Sequence, residues 1–314
     1  MSTSGSVDFS TSRDTIIKMA YQHIQYIGEG DTPDSTQVTE AALLLNMIVK
    51  ARMADGMPLW SLKTGYVLPT TGVSSIALGS TDNAVSAYNT TTTSAAASAG
   101  ASSIVVTSAT GFTNGYAIGI ELSDSTMQWT TINGVPSGTT IPLTATLTGA
   151  VASGANVYVY AQANRIVRPL RVIGAYSYNA VDNTRFPITV ITYDQYNRLG
   201  SPTSPGVSTQ VYYDPRRDGY GDLYVYPRFL SGDRLIQIRY HRPYEDFDTA
   251  TDEPDFPQEW YLPLMMELAA FLGPKAGLSL DERKSLFAEA AAYRQMALEN
   301  GTEEGSFFIQ PERM

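Results

Sequence analysis

The chain has 314 residues, 43% of them apolar and 17% charged, proportions that belong to folded globular material rather than to disorder. It has no cysteine, which excludes disulfides, thiolate metal sites and cysteine nucleophiles, and its only imidazoles are His23 and His241. A formal charge of −10 argues against a nonspecific duplex binder, which neutralises phosphates with a basic footprint.

From the N-terminus, residues 1–12 lack the charged-then-apolar pattern of a secretory signal, and no apolar run reaches the roughly 18 residues of a membrane span. A soluble protein made in the cytoplasm, with no membrane partner, is expected. Ile16, Met19, Ala20, Ile24 and Ile27 recur every three or four residues behind a Ser12 N-cap, which predicts a first helix. Asp34 and Gln37 have capping-box spacing, and Val38, Ala41, Leu45, Ile48 and Val49 line one face of a second helix that Gly56 and Pro58 stop. Two helices joined by a short loop are expected to pack as an antiparallel pair.

Beyond Trp60, short apolar segments separated by Thr, Gly and Pro predict strands. Residues 64–164 contain neither Lys nor Arg, which marks an inserted module. Its left border, the Thr-, Ser- and Ala-rich run 89–100, reads as a linker. Within it 103–107, 116–122, 127–132, 139–143 and 156–160 are strand candidates, which predicts a small all-β sandwich or barrel. Strand character resumes at 170–173, 186–193, 210–213, 223–226 and 235–240. Two further helices close the chain, one from near Trp260 to Leu272 and one capped by Ser279 and Glu282 that ends at Asn300 and Gly301. The expected class is α+β: a helical bundle of two N-terminal and two C-terminal helices, a β region, and the insert. The expected division is a core of 1–88 with 164–314, its last part a flexible tail (301–314), and an inserted domain at 89–163.

Charge is polarised along this order. Residues 165–242 hold eleven Arg, no Lys and six Asp, whereas 245–314 hold fifteen acidic groups against five basic ones. Eleven of the twenty tyrosines fall between Tyr176 and Tyr244, and Arg with Tyr is the pairing favoured in desolvated interface cores. The pattern predicts copies that meet head to tail, one sign of charge against the other.

Signals for chemistry are weak. The cluster Glu245, Asp246, Asp248, Asp252, Glu253 and Asp255 lacks the calcium-loop pattern and reads as a solvated acidic loop ahead of a helix. His241, between Arg239 and Arg242 in sequence, reads as a strand-end residue rather than a general base. No phosphate-cradling loop, GxSxG elbow or HExxH helix occurs. No cofactor or metal is expected. Arg216, Arg217 and Tyr220 sit in an exposed loop flanked by Asp214, Asp218, Asp222 and Asp233, suited to an arginine-to-carboxylate contact with a neighbouring subunit. Arg239 and Trp260 complete the expected subunit interface. Phe307, Phe308 and Ile309 form an apolar triad in a terminal tail, which implies a partner surface.

Four ordered segments carry a resemblance: Ile191-Thr-Tyr-Asp-Gln-Tyr-Asn197, Tyr212-Tyr-Asp-Pro215, Leu223-Tyr-Val-Tyr-Pro227, and Tyr240 through Arg242-Pro-Tyr-Glu-Asp-Phe-Asp248 to Trp260 and Tyr261. With the opening helix pair, they make the chain similar to the head-to-tail adaptor proteins of short-tailed bacteriophages, also called connector or packaged-DNA stabilisation proteins. The loop 199–205 departs from that family's pattern, and the insert is additional to it. The resemblance implies a non-enzymatic structural protein of the virion's head-tail junction, made in the host cytoplasm. It would form a dodecameric ring beneath the portal protein that extends the DNA channel, retains packaged DNA without sequence specificity, and docks tail tube or nozzle proteins and tail fibres or spikes. It also implies a C-terminal segment that reaches the portal, with Phe307, Phe308, Ile309 and Arg313 as the contact residues. The competing reading is a virion-associated tail protein that binds or cleaves glycans, with the insert as sugar-binding module and the 245–255 acids as catalysts.

Overall fold

In the computed structural model, which describes residues 5–53, 59–79, 82–179, 184–201, 203–216 and 219–300, the helices are α1 (Arg13–His23), α2 (Ser35–Arg52), the one-turn α3 (Tyr193–Asn197), α4 (Tyr261–Leu272) and α5 (Leu280–Asn300). The class is α+β. Two compact units arise, one from 1–61 with 244–314 and one from 62–243.

Local sequence starts each long helix of the first unit. Ser12 Oγ accepts the Thr15 amide at the head of α1, and Asp34 with Gln37 exchanges both hydrogen bonds of a capping box at 2.9 Å. Ser279 and Glu282 do the same ahead of α5. Pro263 lies in the first turn of α4, where backbone N–H groups have no intrahelical acceptor, so its missing donor breaks nothing. α4 is buried on nearly every side because α1, α2 and α5 all pack on it. Ile16, Ile17, Leu45, Val49, Leu264, Leu268 and Leu272 form the centre of this core. Beside them Trp60 stacks on Tyr244 at 4.8 Å, and Phe256 touches both rings and Trp260. Trp260, expected at a subunit interface, is 5% exposed and belongs to this core, because its indole is worth more buried among aromatic rings than at a surface.

The second unit holds sixteen strands among its described residues. They are β1 (Leu62–Val67), β2 (Ser75–Leu78), β3 (Ala84–Val85), β4 (Asn89–Thr92), β5 (Ser103–Val105), β6 (Ala117–Glu121), β7 (Met127–Thr131), β8 (Thr140–Pro142) and β9 (Asn156–Tyr160), then β10 (Arg171–Asn179), β11 (Arg185–Val190), β12 (Pro205–Gly206), β13 (Gln210–Asp214), β14 (Gly221–Tyr226), β15 (Arg228–Phe229) and β16 (Arg234–His241). Eight of them form one nearly closed, barrel-like sheet in the order β2, β14, β13, β11, β10, β16, β1, β3. Every pairing within this sheet is antiparallel except β11 with β13. Alternation decides the faces: Val67, Val211, Leu223, Val225, Ile236 and Ile238 fill one core, and their sequence neighbours point outward.

The insert contributes the sheet β4, β9, β6, β7 and the pair β5, β8 around its own core of Ile104, Ile118, Ile120, Leu143, Val157 and Val159. The run 89–100 is not a linker. β4 pairs along β9, and Thr93 is buried with its Oγ1 donating to the Ala152 carbonyl at 2.6 Å and accepting the Ala155 amide. Threonine is β-branched and carries its own hydrogen-bonding group, so a Thr-rich run suits an ordered strand.

The insert shares its unit with the barrel, although the expected boundaries set 89–163 apart. Leu68, Val85, Tyr158, Tyr160 and Leu235 bury one another, the Tyr158 hydroxyl donates to the Gly232 carbonyl at 2.7 Å, and the Trp129 indole donates to Pro69 at 3.0 Å. The two ends of the insert are clasped by the Ser86 amide donating to the Asn164 carbonyl at 2.7 Å.

Candidate functional site

The parallel pair β11 and β13 cannot be joined by a hairpin, and the connection begins with α3. Thr192 and Gln195 cap it reciprocally. On the outer face Tyr212 of β13 lies opposite Tyr224 of β14, their rings stacked at 5.6 Å and 21°. α3 sets Tyr196 against both, at 6.0 and 5.2 Å, and Tyr193 against Tyr212 at 5.7 Å. Tyr193 ends this row with 60% of its surface exposed. Burial raises the Tyr196 and Tyr212 phenol pKa values.

Arg216 adjoins the row. Hydrogen bonds with Tyr224 and Tyr220, followed by the Asp222 charge, raise its pKa, and its guanidinium lies over the Tyr220 ring at 5.8 Å. Asp222, 8% exposed, meets it at 2.5 Å. The carboxylate expected from a neighbouring subunit is therefore supplied to Arg216 by its own chain. Arg239 is exposed on the outward face of β16, and Arg198 is exposed at the C-cap of α3. Arg217, Phe307, Phe308, Ile309 and Arg313 lie outside the described residues.

The acidic loop 245–255 holds itself together. Asp252 accepts the amides of Asp248 and Thr249 at 2.7 and 2.6 Å, Asp255 accepts that of Glu245 at 3.0 Å, and Asp246 pairs with Lys50. Asn46 brackets Phe247 with two backbone hydrogen bonds. The hydrogen bonds from Thr249 hold the Asp252 carboxyl below the ordinary range. Among the described residues no group of three acidic or histidine side chains is placed to hold a metal ion. His241 is 7% exposed, and burial, with the Arg171 charge nearby, lowers its pKa.

Charge divides with the two units. The unit of 1–61 and 244–314 carries 22 acidic and 9 basic residues, a net −13, and the unit of 62–243 carries 9 acidic and 12 basic, a net +3. The negative unit bears an apolar patch: Leu43 and Met47 on α2, Phe271 on α4 and Phe287 on α5 are 59%, 57%, 46% and 43% exposed. Part of it is a groove of about 250 Å³ lined by Leu44, Met47, Ile48, Ala51 and Phe271, with Arg52 the one charged residue of its lining among the described residues. Phe287 continues the patch, its ring edge-on to Phe271 at 5.3 Å.

Sequence reasoning missed the tyrosine row. Its signal was the Thr192, Gln195 capping box, which lay at the end of a run read as strand. It also missed Glu267, which is 6% exposed on α4 and pairs with Arg52 at 3.1 Å and Arg294 at 3.6 Å. No protein-family model matches the chain, and no curated protein matches it.

Proposed function

We propose that the chain is a structural, non-enzymatic head-to-tail adaptor of a short-tailed bacteriophage virion, as its sequence resemblance implies. In this reading a helical bundle and a β region carrying a small all-β insert form the subunit of a ring, dodecameric in that family. The ring sits below the portal, extends the DNA channel, retains packaged DNA and docks tail proteins. The tail residues Phe307, Phe308, Ile309 and Arg313 are the proposed portal contact.

The division of charge between the units, −13 against +3, carries the proposal. A chain with opposite charge on its two units favours heterologous contacts, plus to minus, and heterologous contacts close into rings when the rotation closes. The acidic surplus also suits a conduit that DNA must pass without sticking. The loop that would supply paired catalytic acids uses Asp252 and Asp255 to hold its own backbone, which favours a scaffold over a glycan-cleaving enzyme.

Native mass spectrometry across protein concentration and salt, with and without a purified portal ring, tests the reading. One discrete ring stoichiometry that weakens as salt rises is expected, and charge reversal at the exposed Arg198 and Arg239 should weaken it further. A monomer under every condition refutes it.

A further inference from the structure

Among the described residues, the negative unit leaves an apolar groove open and the positive unit leaves an aromatic row open. The groove between α2 and α4 is lined by Leu44, Met47, Ile48, Ala51 and Phe271, and Met47 and Phe271 are about half exposed at its rim. Apolar patches of this kind on a folded protein mark interaction sites. The tyrosine row ends in Tyr193, whose ring is held at its base by Tyr212 and is free over most of its surface. A ring pre-set by its neighbours loses little freedom when it docks, which makes tyrosine an effective anchor in a groove.

We infer that Tyr193 of one copy inserts into the Met47 and Phe271 groove of the next copy. The inference rests on the ring reading and names the contact within it. Charge selects the occupant. The groove belongs to the unit of net −13, whereas Tyr193 projects from the unit of net +3, with Arg198 exposed at the other end of its helix and Arg216 beside the row. Two grooves facing each other would bring like charges together, so the opposite unit is the favoured partner. The groove's nearly apolar lining receives the ring, and a tyrosine hydroxyl at the rim stays in water or meets Arg52. The contact is heterologous by construction: each copy offers one anchor and one groove, which is what propagation around a ring requires.

The test places p-benzoylphenylalanine in place of Tyr193 in the full chain and mixes unlabelled with uniformly ¹⁵N-labelled protein before irradiation. Mass spectrometry should find adducts on the peptides containing Met47 or Phe271, in light-heavy as well as like pairs, because the contact joins different copies. Adducts confined to one copy, adducts elsewhere, or none overturn the inference. In parallel, Met47→Glu places a charge in the groove at an exposed position, and far-UV circular dichroism checks that it folds. It should weaken association by about tenfold or more, as loss of an interface anchor does. Association unchanged by Met47→Glu also overturns it. If rings form by native mass spectrometry while Tyr193 crosslinks elsewhere, this contact fails and the ring reading stands. If no oligomer forms under any condition, both fail.

Discussion

Glu267 gives the helical unit its sharpest test. Its carboxylate is 6% exposed and meets Arg52, itself mostly buried, at 3.1 Å, with Arg294 at 3.6 Å on the other side. Glu267→Gln preserves shape and removes the charge, which takes the Glu267 carboxylate away from the Arg52 guanidinium in a low-dielectric site. Breaking one partner out of a buried pair costs about 3 to 5 kcal/mol, and the lower end applies because the Arg294 side chain is one-third exposed and partly screened. With a urea dependence of about 1 to 3 kcal/mol per molar, a loss of about 3 kcal/mol should lower the midpoint by roughly 1 to 3 M. Trp60 and Trp260 belong to this unit, so their fluorescence reports its unfolding. Replacing both partners, Arg52→Met with Glu267→Met, should recover much of the loss, since apolar residues of similar volume carry no desolvation debt. A midpoint shift worth less than about 1 kcal/mol for Glu267→Gln, or a double variant no better than the single one, refutes the reasoning.

Tyr158→Phe removes a buried hydrogen bond and leaves the Gly232 carbonyl without it, so the unit of 62–243 should lose about 1 to 2 kcal/mol, measured through Trp129 fluorescence in urea. At Gly119 a Cβ would lie 2.7 Å from the Trp129 ring, so Gly119→Ala should displace the indole, weaken its bond to Pro69, cost about 1 to 3 kcal/mol and shift the emission maximum. His241 has a lowered pKa in the folded state, so the unfolded chain takes up its proton first. The stability this group contributes is complete above its unfolded value of about 6.5 and is lost as pH falls below it. The drop in urea midpoint between pH 7.5 and pH 5 should be smaller in His241→Gln than in the parent, and equal drops would count against burial as the cause.

Signals confined to a few residues were readable in the sequence. The caps at Ser12, Asp34 with Gln37, and Ser279 with Glu282 are chemistry of four consecutive residues, and each one starts a helix. The strands of the insert follow alternation between glycine turns, and Asn156–Tyr160 keeps its expected limits. Pairing between distant segments left no local mark. Nothing near Ser75–Leu78 announces that it joins β14, or that Leu62–Val67 lies along β16, because register is settled by the shared interior of the barrel. Low complexity misled at 89–100, where residue type, rather than variety, decided between coil and strand. Of the expected interface residues, Trp260 went to a core and Arg216 found Asp222 within the chain, whereas Arg239 stays on an outward face. Tyr224 and Tyr240 both alternate along strands, yet one faces out and the other fills the barrel, a distinction only the sheet order makes.

The clasp of Ser86 on Asn164 bears on how such a chain changes over generations. Because the two ends of the intervening segment lie one peptide contact apart, recombination there can lengthen, shorten or exchange what lies between without re-threading the barrel. The restraint on that freedom is the shared floor of Leu68, Val85 and Leu235, which any replacement has to roof over or turn polar.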